Sequence, residues 1–89
     1  MLMKREFPIE ISPHAKQQMV ERGATETEVI TAIQNGEVEP VRKGRMLYRK
    51  NFQFQDMWRG RKYRIKQVAP VVTTEENKLV AVTVYVFYY

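Results

Sequence analysis

The stretch "LVAVTVYVFY", residues 79–88, decides the fold. Val80, Val82, Val84 and Val86 alternate with Thr83, Tyr85 and Phe87, the period of a pleated strand with one face buried. Valines and aromatics favour that pleat over a helix. The valine row is therefore predicted to be the face that meets the rest of the core.

Working back along the chain, "EENK" (75–78) reads as a turn and "KYRIKQVA" (62–69) as a second strand. On that strand Tyr63 and Ile65 lie opposite Arg64 and Lys66. "DMWRG" (56–60) reads as another turn. In "RMLYRKNFQF" (45–54), Met46, Tyr48, Phe52 and Phe54 share a face, and "RKGR" before it turns the chain. "EVEPVR" (37–42) is a candidate short extra strand. "FPIEIS" (7–12) alternates Phe7, Ile9 and Ile11, and Pro8 assigns it to an edge.

Between these lie two helices. Ser12 and Pro13 form a helix start, serine capping free amides and proline losing no needed donor, and Gly23 stops the helix. Thr25 and Glu28 have capping-box spacing for a second helix, whose apolar stripe is Val29, Ile30 and Ile33 and whose stop is Asn35–Gly36. The order β-α-α-β-β-β, joined by short turns, predicts one α+β domain over residues 1–89. In it, two N-terminal helices pack on one face of a small antiparallel sheet of three to four strands. The outward face is then expected to carry Arg64, Lys66, Thr83 and Tyr85.

Composition narrows the function. The chain has 89 residues, no cysteine and one histidine, which argues against disulfides and thiolate or histidine metal centres, and no cofactor is expected. "MLMKREF" is charged and no long apolar run follows it, so neither a leader nor a membrane span is expected, and a cytoplasmic location is. Net charge is +5, unevenly spread. Residues 6–39 hold seven acids and two bases, whereas residues 42–66 hold ten bases and one acid, Asp56. Such a basic segment points to a polyanion, most often nucleic acid. Arg42, Lys43, Arg45, Arg49, Arg59, Arg61 and Lys62 are its candidate contacts. The plain alternative is a solvated lysine- and arginine-rich sheet face.

In "HAKQQMVERG" (14–23), His14, Gln18 and Arg22 form a row along the border of the Ala15–Met19 stripe. This places His14 and Arg22 at the rim of a basic cleft, acting with Arg64 and Lys66 on a phosphate. Plainer roles exist: a local cap for His14, and dipole or ion-pair duty with Glu21, Glu26 or Glu28 for Arg22. Charge argues against a helix-turn-helix reader of DNA, because the second helix carries glutamates and no lysine or arginine.

"HAKQQMVERGATETEVITAIQNGE" (14–37), with "YRIKQVAP" (63–70) and "KLVAVTVY" (78–85), resembles the small bacterial family catalogued as domain of unknown function 4258. Gln18 stands where many members carry a basic residue. That family is similar in layout to the RelE, ParE and BrnT type toxins, many of which cut RNA without metal and which an antitoxin chain covers. The resemblance implies a RelE-like layout, a toxin-like metal-independent endoribonuclease or a descendant of one, RNA as substrate, and an antitoxin partner. Cleavage requires proton transfer and stabilisation of phosphorane charge. His14, Arg22, Arg64, Lys66 and Tyr85 are the candidate catalytic set. The alternatives are a non-catalytic RNA or DNA binder on the same basic surface, and a small interaction protein. The tail "YVFYY" fits the latter.

Overall fold

The computed structural model describes residues 6–89; "MLMKR", on which the expectation of no leader partly rests, lies outside them. The chain runs β1 (Ile9–Ile11), α1 (Pro13–Arg22), α2 (Glu26–Asn35), β2 (Glu37–Pro40), β3 (Met46–Trp58), β4 (Arg61–Glu75) and β5 (Lys78–Tyr88). Both helices begin where the side chains dictate. Ser12 accepts from the Ala15 amide at 3.1 Å. Thr25 and Glu28 close a full capping box, at 3.1 and 2.9 Å. Gly23 ends α1 at φ 83°, where its amide bonds the Met19 carbonyl.

The five strands form one sheet in the order β1-β5-β4-β3-β2. This corrects the expectation of three to four antiparallel strands. "EVEPVR" does supply an edge strand, β2, antiparallel to β3. "FPIEI" supplies the other edge, and it runs parallel to β5, with Ile9 opposite Leu79 and Ile11 opposite Ala81. The sheet is therefore mixed. Consecutive strands usually neighbour one another. A three-residue strand pairing with the far end of the chain breaks that rule, and its own residues carry no sign of the partner.

A second correction concerns the valine row. Val71 faces Thr83 while Val72 faces Ala81, so Val82 is the extra residue of a β-bulge. One extra residue reverses the alternation. The side facing the helices is Leu79 and Ala81 before the bulge, then Val84 and Val86 after it. Val80 lies on the other side, and Val82 is only half-buried.

With that row, Tyr48, Val68 and Val72 from β3 and β4 meet Ala15, Met19, Val29 and Ile33 from the helices, closed by Ile11. Helix α1 packs along β5, and α2 across β3 and β4. Two turns need left-handed backbone at both central positions: Arg59 and Gly60 (φ 49° and 84°), and Glu76 and Asn77 (φ 46° and 64°). The β3–β4 turn is thus shorter than "DMWRG" implies, because β3 continues through Trp58.

Candidate nucleic-acid interface

The basic run is contiguous in sequence and divided in space. Arg42, Lys43 and Arg45 stand at the β2–β3 turn, whereas Arg59, Arg61, Lys62 and Arg64 stand at the β3–β4 turn. The thirteen residues of β3 separate the two groups, about 40 Å at about 3.3 Å per residue, nearly the whole 44 Å long axis. Arg49, between them, ion-pairs with Glu39 on β2.

Lys66 is not on the outer face. It lies in the row of Val68 and Val72, is only 6% exposed, and points under the helices. Its Nζ donates to the Gly23 carbonyl at 2.9 Å, meets Glu28 Oε2 at 2.8 Å, and sits 5.3 Å from the centre of the Phe54 ring. The parity error has a local cause: Arg64 and Ile65 both donate to the Tyr89 carbonyl, so the alternation of β4 breaks beside Lys66. Its charge is therefore engaged by α2 and the α1 terminus.

His14 occupies the exposed first turn of α1, about 12 Å along the helix from Arg22 at about 1.5 Å per residue. Gln18 and Arg22, from the same row, reach the edge of β5. Gln18 is 9% exposed and its Oε1 accepts from the Val84 amide at 2.8 Å. Arg22 Nη1 donates to the Val84 carbonyl at 2.8 Å, and the guanidinium lies 5.4 Å from the Tyr85 ring centre.

Arg22 and Tyr85 then line a cleft of about 200 Å³ with Glu21, Trp58, Arg59, Val86 and Tyr88. Trp58 stacks on Tyr88, centroids 5.1 Å apart at 16°, and Arg59 lies 5.1 Å over Trp58. Arg59 Nη2 also donates to the Glu21 carbonyl at 2.7 Å, tying the hairpin tip to α1. The Tyr88 hydroxyl donates to the Arg22 carbonyl at 2.7 Å. Burial raises the Tyr88 pKa above its usual value, the Glu28 carboxylate raises it further, and Arg59 opposes both. Tyr63 and Phe54 pack around the Tyr88 ring, and Arg61 lies 5.9 Å from the Tyr63 ring centre.

Of the five residues assigned to catalysis, only Arg22 and Tyr85 line this cleft. Of the seven assigned to nucleic acid, Arg59 lines it, while Arg61 and Lys62 are exposed beside it. Glu21, Trp58 and Tyr88 also line the cleft and are not among the residues the sequence points to. Trp58 falls within the stretch that reads as a turn, and its neighbour Arg59, in "WRG", is the signal the sequence offers. Chemically, two guanidiniums held by backbone carbonyls retain further donors suited to phosphate oxygens. Aromatic side chains around them suit unpaired bases. Among the described residues no three His, Asp or Glu side chains are grouped to hold a metal. No described helix is long and apolar enough to cross a membrane.

Fold and site together define an α+β domain with a mixed sheet, two helices on one face, and an arginine- and aromatic-lined cleft at one end. The chain belongs to the family described as domain of unknown function DUF4258, whose model matches residues 11–86. No curated protein and no solved structure matches it.

Proposed function

We propose that the protein binds single-stranded RNA at the end of the sheet formed by the cleft and the β3–β4 turn. The observation that carries this reading is the convergence of Arg22 and Arg59 with Trp58, Tyr85 and Tyr88, beside the exposed Arg61, Lys62 and Arg64. Phosphates are taken by the guanidiniums, and the exposed Tyr85 ring offers a face for a base. The opposite end is a poorer anion site, because Arg42, Lys43 and Arg45 share it with Glu75 and Glu76. Toxin-like RNA cleavage requires groups that take and give a proton at the phosphate. His14 is remote from the cleft, Lys66 is engaged with Glu28, and the Tyr88 phenol is held protonated. The geometry therefore supports binding ahead of scission.

Fluorescence anisotropy with a short labelled RNA tests this. Affinity should fall steeply between about 50 and about 200 mM salt as counterions are released. Arg61→Ala and Lys62→Ala should each weaken binding and reduce the salt slope by about 1, whereas Arg42→Ala should do neither. A flat salt response, or equal losses at both ends, would overturn the reading. Denaturing gels of the same samples report any scission.

A further inference from the structure

The sheet edge at β5 is closed in two different ways along part of its length, by a strand and by side chains. Strand β1 covers Leu79–Ala81, bracketed by Leu79 donating to the Pro8 carbonyl at 2.8 Å and Ser12 donating to the Ala81 carbonyl at 3.0 Å. Gln18 and Arg22 then take the amide and carbonyl of Val84. Beyond Val84 no strand among the described residues pairs with the edge. Its state follows from ladder parity: Tyr89 and Ile65 exchange both bonds, at 3.1 and 2.8 Å, and Pro70, opposite Val84, has no amide to give. Val86 opposite Val68 and Tyr88 opposite Lys66 are therefore non-hydrogen-bonded pairs, whose amides and carbonyls point away from β4. None of the side-chain bonds among the described residues reaches these four groups.

An open edge is normally blunted by a charge, a proline or a bulge. Here residues 84–89 carry no charge and no proline. Tyr85, Phe87 and Tyr89 instead alternate on the outer face, exposed by 44%, 47% and 55%, with the Tyr85 and Phe87 rings 6.3 Å apart. We propose that this edge pairs antiparallel with the same edge of a second copy of the chain, about a two-fold axis at Phe87. In that register Val86 exchanges both bonds with Tyr88 of the second copy, and Tyr88 with Val86 of the second copy. All four open groups are satisfied. Phe87 faces its own counterpart and Tyr85 faces Tyr89, making a six-ring ladder. An axis at Val86 would instead oppose Tyr88 to Val84, whose groups Gln18 and Arg22 already hold.

The size of the contact sets its strength. An aromatic side chain buries about 150–250 Å² in full, so six half-exposed rings and two strands give an interface near the low end of about 1,200 Å². Contacts at this end of the size range are commonly weak or transient, so a micromolar dissociation constant is the expected outcome. Arg22 and Arg59 flank the same edge, so two copies bring like charges together. Pairing should tighten as salt rises to about 0.15 M and shortens the screening length to about 8 Å. That trend is opposite to the one expected for RNA.

Sedimentation equilibrium from about 1 to about 200 µM, without RNA, reads the association directly. Phe87→Arg sets two positive charges face to face on an exposed position and should weaken the dimer at least about tenfold, with an unchanged circular dichroism spectrum. Phe87→Cys gives the chain its only thiol. Opposed non-hydrogen-bonded residues lie within disulfide reach. Oxidised glutathione should therefore link two copies through Cys at 87 much faster than through Thr74→Cys, an exposed control at the far end of β4. A monomer throughout the range, a dimer indifferent to Phe87→Arg, or equal cross-linking at both thiols would each overturn the pairing. The RNA reading would stand, since no RNA enters the measurement.

Discussion

Replacing Lys66 by methionine separates a structural lysine from a catalytic one. Methionine keeps much of the buried stem and removes the ammonium. Gly23 then loses the donor to its carbonyl, and Glu28, with its side chain 19% exposed, loses its counter-charge. Removing one partner of a fully buried pair costs about 3–5 kcal/mol. Glu28 keeps its bond from the Thr25 amide and some solvent, which brings the expected cost to about 2–4 kcal/mol. For a domain of this size each kcal/mol lowers Tm by about 4–8 °C. Glu28→Gln retains a capping oxygen but leaves the more deeply buried lysine charged and alone, so it should cost at least as much. The double variant holds neither charge, and its loss should fall short of the sum of the singles by about 1–2 kcal/mol. Urea unfolding followed by circular dichroism measures all three, with a shared m-value as the check on two-state behaviour. RNA affinity per folded molecule should be unchanged in Lys66→Met. A loss below about 1 kcal/mol, or additive singles, would refute the buried-pair argument.

Gly23→Ala should be among the most damaging small substitutions, because φ is +83° there and the added carbon would lie 2.5 Å from the Tyr88 hydroxyl and 2.8 Å from Trp58; a Tm well below that of the parent and a weakened near-ultraviolet signal from Trp58 would show it. Tyr88 is held protonated more tightly folded than unfolded, so its contribution is complete below about pH 10 and is lost as pH rises through the raised folded value; urea midpoints should decline along that alkaline limb, and less so in Tyr88→Phe. Val84→Asp should abolish folding, since Val84 is fully buried, whereas Val82→Asp on the half-exposed bulge should leave a cooperative melt; the reverse order would place the bulge elsewhere.

Local chemistry made the helices legible. Ser12–Pro13, Gly23 and the Thr25–Glu28 pair each act within four residues, and each is found at its expected cap. The shared face of Met46, Tyr48 and Phe52 was legible for the same reason, since β3 alternates undisturbed over that stretch. What failed depended on one residue or on the far end of the chain. The bulge at Val82 leaves no mark in "LVAVTVYVFY", yet it exchanges the faces of everything before it relative to everything after. The bifurcated bonding at Tyr89 did the same for Lys66. The parallel partnership of β1 and β5 is fixed by packing across the whole chain. Within the site, Arg22 and Arg59 could be picked out as cations, but their meeting required α1 to lie along β5 and the β3–β4 hairpin to reach back to Glu21.

The row His14, Gln18 and Arg22 shows how the fold concentrates its unspent bonding capacity at one end. One turn of α1 at a time, the row follows β5 away from β1. Near Ala81 the edge is already paired, and His14 has no edge group to meet. One turn on, Gln18 takes the Val84 amide, and the next turn brings Arg22 to the Val84 carbonyl. There α1 stops at Gly23 and protection stops with it. The same point is where Arg59 arrives from the hairpin and where Arg61, Lys62 and Arg64 begin. At the opposite end the cations lie among Glu75 and Glu76, and Lys78 bonds Glu10. A positive field with little acid to offset it therefore coincides with open backbone groups and exposed rings. Arg22, Arg59 and the exposed Tyr85 and Phe87 rings therefore stand beside the backbone groups of Val86 and Tyr88 at that one end.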